Sequence, residues 1–121
     1  MAHILIIDDS PTERHVFKTM LEKNNHQVSV ATGGEQGLEM ARDLKPDVIL
    51  MDVVMPGMDG FKATRELSKD AGTANIPVIM VTTKDQETDK VWGMRQGARD
   101  YIVKPAKEKM LIERINAALG Q

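Results

Sequence analysis

The sequence predicts an α/β domain built on an open, five-stranded parallel sheet, and three observations carry that prediction. Short apolar runs alternate with segments of helical period along the chain, which is the βα pattern of a parallel sheet. Two of the runs, Ile4-Leu5-Ile6-Ile7 and Val48-Ile49-Leu50-Met51, are too short for an ordinary helix and rich in residues that fill a strand buried on both faces. Each of these two ends abruptly in acid, Asp8-Asp9 after the first and Asp52 after the second. In an open α/β sheet, chemistry gathers outside the carboxyl ends of the strands.

After the first strand, Ser10-Pro11-Thr12-Glu13 supplies an N-cap, a proline at the first helical position and a glutamate three residues on, a capping box. Val16, Phe17, Met20 and Leu21 form the apolar stripe of that first helix. The second strand, Gln27–Ala31, alternates Val28 and Val30 with polar neighbours and belongs at the rim of the sheet. A second helix is expected over residues 35–44 with Leu38, Ala41 and Leu44 inward, and Pro46 breaks it before the Asp52 strand. The loop after Asp52 contains Pro56-Gly57 and Asp59-Gly60, which turn the backbone sharply before a third helix over residues 61–68. A fourth strand at residues 78–81 ends in Thr82-Thr83. The polar segment 85–96 reads as a weakly amphipathic helix with Val91, Trp92 and Met94 as its apolar contacts, Trp92 packing against the domain. A short fifth strand, residues 101–103, closes on Lys104-Pro105 and leads to a last helix with Met110, Leu111, Ile115, Ala118 and Leu119 inward.

At 121 residues, with no repeat, linker or low-complexity tract, one domain spanning 1–121 and no output domain are expected. Sixteen basic and 18 acidic residues give a net charge of −2 without a basic cluster, so nucleic acid is not an expected partner. No apolar run is long enough to cross a membrane and no charged-then-apolar leader is present, so membrane insertion is not expected and a cytoplasmic location is the default. The absence of cysteine excludes disulfide and thiol chemistry. His3, His15 and His26 match no metal or phosphotransfer motif and read as ordinary surface or strand-end residues.

The strand ends deliver Asp8, Asp9, Asp52, Thr82 and Lys104 to one edge. Like charges about 4 Å apart repel by roughly 4 kcal/mol at an effective dielectric of 20. Three adjoining carboxylates therefore call for a cation, and all-oxygen ligands suit Mg²⁺. The plainer alternative is that Asp8 and Asp9 only favour the positive end of the following helix, that Thr82 is a β-branched strand residue and that Lys104 is a solvated charge. Together the five fit phosphoryl transfer. An aspartate, here Asp52, can serve as nucleophile and become an acyl phosphate, while a metal on Asp9, the Lys104 ammonium and the Thr82 hydroxyl neutralise the charge of the transferring group.

On Asp8-Asp9, Met51-Asp52 through Pro56-Gly57 and Asp59-Gly60, Thr82 and Lys104-Pro105, the chain resembles the CheY-like receiver domains of two-component response regulators over essentially its whole length. The resemblance implies a doubly wound (βα)5 sheet of flavodoxin/CheY-like type with strand order 2-1-3-4-5. It further implies phosphorylation of Asp52 by a histidine kinase of CheA-like type. Mg²⁺ would be bound by Asp9, Asp52 and the main-chain carbonyl of Val54, with Asp8 acting partly through water, and Thr82 and Lys104 would contact the phosphoryl group. Such a protein is not an enzyme beyond catalysing its own phosphorylation and dephosphorylation. The resemblance also implies a switch in which Thr82 is drawn toward the phosphate and Tyr101 moves from an exposed to an inward position, with the face of segment 85–96, residues 101–103 and the last helix, Trp92 included, as output surface.

Within the family, the stretch from Ile76-Pro77-Val78 to Trp92 and on to Gly97-Ala98 is most similar to the single-domain regulators of type IV pilus twitching motility, the PilH-like proteins. The partner downstream would be a protein target, or none if the chain drains phosphate from a competing regulator. Three positions depart from the commoner pattern: Ala106, where many receivers carry Phe, and Val54 and Lys84, where rapidly dephosphorylating relatives carry polar or acidic side chains. An aspartate-nucleophile phosphatase of haloacid-dehalogenase type would need Asp-x-Asp where this chain has Asp8-Asp9-Ser10. A flavodoxin-like carrier would need a Ser/Thr/Gly phosphate loop in place of Pro11 and Glu13, and a P-loop enzyme needs a Gly-x-x-x-x-Gly-Lys that is absent.

Overall fold

The central strand β1 (His3–Ile7) hydrogen-bonds on both sides, to β2 (Gln27–Ala31) and to β3 (Val48–Met51), and β4 (Val78–Thr82) and β5 (Asp100–Val103) extend the sheet beyond β3. In the computed structural model, which describes residues 1–120, all four pairings are parallel and the order is β2-β1-β3-β4-β5. Five helices follow the strands: α1 (Pro11–Lys23), α2 (Gly34–Leu44), α3 (Gly60–Lys69), α4 (Glu87–Gln96) and α5 (Glu108–Ala118).

Strand alternation divides the core in two. Ile4, Ile6, Val48, Leu50, Ile79, Val81 and Ile102 point to one face, where Phe17 and Leu21 of α1 and Leu111 and Ile115 of α5 cover them. Leu5, Ile7, Ile49, Met51, Val78, Met80 and Tyr101 point to the other, under Leu38 and Ala41 of α2 and Ala63 and Leu67 of α3. Both faces being covered explains why β1, β3 and β4 read as unbroken apolar runs, whereas β2, at the rim, is only partly buried.

Five residues expected in the core are exposed instead. Val16 and Leu44 are exposed, because Phe17 and Leu21 already fill the inward side of α1 and α2 turns Leu38 and Ala41 to the sheet. In α4, Val91, Trp92 and Met94 all face solvent, and the one buried residue is Gly93. A Cβ at Gly93 would meet the Met80 sulfur at 2.8 Å and the Tyr101 ring at 3.1 Å, so α4 lies too close to the sheet for any larger side chain there.

Gly60 has a comparable role beside the acid cluster. Its N–H donates to the Val53 carbonyl at 2.9 Å, and a Cβ would overlap the Asp52 carbonyl and lie 2.7 Å from Val53 Cα. Backbone cannot retreat as a side-chain tip can. Gly60→Ala is therefore expected to destabilise the domain by about 1–3 kcal/mol, measured by urea unfolding; an unchanged midpoint would refute the close approach.

Candidate functional site

Register places the acid cluster. Ile7 pairs with Met51, so the residues that follow them, Asp8 and Asp52, leave neighbouring strands at the same edge. The Asp52 N–H still donates to the Ile7 carbonyl at 2.9 Å, and the Asp8 N–H to the Ala31 carbonyl at 3.1 Å. Asp8 is 2% and Asp52 9% exposed, Asp9 more so, and one carboxylate oxygen of each lies within 4.8 Å of the others.

Lys104, just past β5, reaches across to this cluster with its side chain only 10% exposed. Its Nζ stands 3.2 Å from Asp8 Oδ2, 3.5 Å from Glu13 Oε1 and 3.7 Å from Asp52 Oδ1, and 5.9 Å from the centroid of the Phe17 ring. The Lys104–Pro105 bond is cis. Burial opposes the ammonium, yet the charges of Asp52 and Asp8 outweigh it and hold the Lys104 pKa above its ordinary value. Asp52 is pushed up to about 6, first by burial and then by the charge of Asp8. Lys104 and the Val53 N–H, which donates to Asp52 Oδ1 at 2.9 Å, pull the other way without restoring it.

The capping box at the start of α1 is half formed. Ser10 Oγ accepts from the Glu13 N–H at 3.3 Å, but the Ser10 N–H goes to Asp8 Oδ1 at 2.9 Å and the Glu13 carboxylate turns to Lys104. The acid cluster thus takes over both groups. Arg14 adds a bond from Nη1 to the Asp8 carbonyl at 2.8 Å. Glu13, Arg14 and Phe17 were missed as site residues. Their helical register relative to the cap was legible, but the reach of Lys104 from the far end of the chain was not.

Thr82, fully buried at the end of β4, accepts the Lys84 N–H on Oγ1 at 3.2 Å. Tyr101 donates its hydroxyl to the Lys84 carbonyl at 2.8 Å. The two are thereby joined through the backbone of one residue. Tyr101 is buried, the inward one of the two positions expected of it, because α4 at Gly93 packs directly on its ring. Val54 is 60% exposed beside the site, where it lines a hollow with Phe61 and Lys84. The histidines lie elsewhere: His3 bonds Ser29, His26 accepts from the Ala2 N–H, and His15 is exposed on α1.

A hard divalent cation fits this donor set. Three close carboxylates are opposed by a single ammonium, all offered atoms are oxygen, and burial with the charge of Asp8 pushes the Asp52 carboxyl up to about 6.

The order 2-1-3-4-5 with an acid cluster at the carboxyl edge places the chain among doubly wound α/β domains whose ligands gather at that edge. The profile of the response regulator receiver domain matches residues 4–116, and the chain belongs to that family. Protein PilH of Pseudomonas aeruginosa is 64% identical over 120 residues, 99% of each chain. The response regulator PleD of Caulobacter vibrioides is 41% identical over 117 residues, a match spanning 96% of this chain but only 26% of PleD. Among solved structures, Vibrio cholerae CheY4 superposes with a TM-score of 0.92 at 30% identity, covering 98% of this chain and 99% of that one. The receiver domain of the Pseudomonas aeruginosa sensor histidine kinase PA1611, described with a magnesium ion coordinated in its active site cleft, gives 0.92 at 29% identity, covering 99% and 98%. The chain is thus a two-component response regulator receiver domain close to PilH. Among the described residues no helix is long and apolar enough to cross a membrane.

Proposed function

We propose that Asp52 is the phosphoacceptor of this receiver domain, charged by a histidine kinase of CheA-like type. One observation carries the reading: the Asp52 carboxylate stands at a strand end between an acid pair and a buried ammonium 3.7 Å away. An Asp52 oxygen attacks phosphorus, and the bond from phosphorus to the donor breaks with its electron pair leaving on the donor. Lys104 and Thr82 are the groups to meet the charge that spreads over the phosphoryl oxygens. Asp8, Asp9, Asp52 and the main-chain carbonyl of Val54 would hold Mg²⁺, which when bound supplies positive charge to the same oxygens. A phosphatase of the Asp-x-Asp type finds no support, since Ser10, at the place of its second carboxylate, caps α1.

Phosphorylation would draw the Thr82 hydroxyl off the Lys84 N–H and so bias the Thr82–Lys84–Tyr101 chain of bonds, a local charge change acting on a two-state element. The output would be control of a protein partner through the face of α4, β5 and α5, in type IV pilus or chemotaxis-like signalling, in keeping with the likeness to PilH. The test is intact mass after acetyl phosphate, with and without Mg²⁺. One added phosphoryl group that requires Mg²⁺ and maps to the peptide holding Asp52 is expected, and an adduct mapped elsewhere, or none, would refute the assignment.

Val54 bears on how long the adduct lasts. Its exposed side chain cannot hydrogen-bond a water approaching the acyl phosphate. Val54→Asn is expected to speed phosphoryl loss several-fold in a mass-resolved decay; no acceleration would show that water access is set elsewhere.

A further inference from the structure

A groove of about 460 Å³ runs between α3 and α4, with Lys62, Arg65 and Lys69 on one bank and Trp92 and Gln96 on the other. Helical geometry explains which side of α4 it uses. Gly93 marks the line where α4 meets the sheet, and at about 100° per residue Trp92 and Gln96 fall to one side of that line and Lys90 and Met94 to the other. Trp92 therefore faces α3.

The chemistry of the groove identifies an occupant. Lys62, Arg65 and Lys69 lie at i, i+3 and i+7 on α3. Among the described residues these three and Arg95, on the rim of α4, have no carboxylate within 4.0 Å, as is true of several other surface cations, but here the three stand along one groove. Of the two acids at the groove, Asp59 is occupied as the N-cap of α3, accepting the Lys62 N–H at 2.9 Å. Trp92 is 49% exposed, among the described residues no cation lies over its ring, and it lines both this groove and an apolar hollow of about 300 Å³ that it shares with Glu87, Thr88, Val91 and Arg95. Exposed indoles beside arginine are among the anchors that protein interfaces favour. A continuous polyanion fits less well, because Glu66 stands among the cations and the chain carries a net charge of −2.

We propose that the α3–α4 groove docks an acidic segment of a partner protein, its carboxylates on Lys62, Arg65 and Lys69 and an apolar anchor on Trp92. None of the residues lining the groove belongs to the acid cluster.

The test selects displayed random peptides on the wild-type chain and counter-selects on the Arg65→Glu, Lys69→Glu double variant. The proposal expects clones rich in Asp and Glu around a Leu, Phe or Trp. Synthetic copies should shift Trp92 emission, perturb amides of 62–69 and 92–96, and bind the double variant about tenfold or more weakly. Trp92→Ser, on the opposite bank, is a second variant expected to weaken the same peptides without reversing any charge. Clones that do not discriminate the proteins, discriminating clones without an acidic excess, or tighter binding of oligothymidylate than of any peptide would each overturn it.

Discussion

Asp52→Asn is expected to abolish phosphoryl uptake and also to make the fold more stable at neutral pH. The amide cannot form the acyl phosphate, while its oxygen can keep the bond from the Val53 N–H. The stability gain follows from the raised pKa. Asp52 titrates near 6 in the folded chain against an ordinary 3.8, so the native state holds this proton more tightly than the unfolded state does. Its contribution is most favourable below 3.8 and is lost as pH rises through 6, in total up to about 3 kcal/mol at about 1.4 kcal/mol per pKa unit. Asn does not titrate. The difference between variant and wild type in a metal chelator should be small at pH 4 and reach that size above pH 7, read by urea unfolding. Added Mg²⁺ should narrow it by stabilising the wild type alone. Equal stability at pH 8 in chelator would show that the cluster is not under electrostatic strain.

Lys104→Met is expected to act in the opposite sense on stability. The replacement keeps an apolar stem near Phe17 but removes the charge that Asp8, Glu13 and Asp52 share. Removing one partner from a buried ion pair costs about 3–5 kcal/mol, and losing a donor aimed at developing charge slows a reaction by about 100-fold or more. Because the folded-state pKa of Lys104 lies above its ordinary 10.5, the stabilisation is complete at pH 7 and fades only as pH rises through the folded value. Since Lys104 also holds the Asp52 pKa down, its removal raises that pKa further, and the loss in the Met variant should grow as pH rises above 6, where Asp52 ionises without its ammonium partner. Adding Asp52→Asn should recover part of it, since the two groups interact directly and their effects are not additive. Strict additivity in that double variant, or uptake from acetyl phosphate at the wild-type rate, would refute the shared role.

Strand runs and helix caps were legible because they rest on local period and short-range bonding. Ser10 caps α1, Pro46 ends the approach to β3, and the valines of β2 alternate at the rim as its pattern required. Glu13 shows where local reasoning stops, since a second carboxylate and a lysine far along the chain compete for the groups of its capping box. In α4, whose polar and apolar residues are scattered around the helix, apolar character did not mean burial: the inward position went to Gly93, set by its distance to Met80 and Tyr101.

The sequence by itself determined the α/β class, the parallel sheet and the delivery of Asp8, Asp9, Asp52, Thr82 and Lys104 to one edge, because strand periodicity and the positions of strand ends are written in neighbouring residues. Only the tertiary structure decided that Lys104 serves three carboxylates at once, that Tyr101 lies inward on the Lys84 carbonyl, and that Trp92 opens onto α3. Each of these depends on distances between segments far apart in the chain, which packing of the helices against the sheet sets and no local pattern encodes.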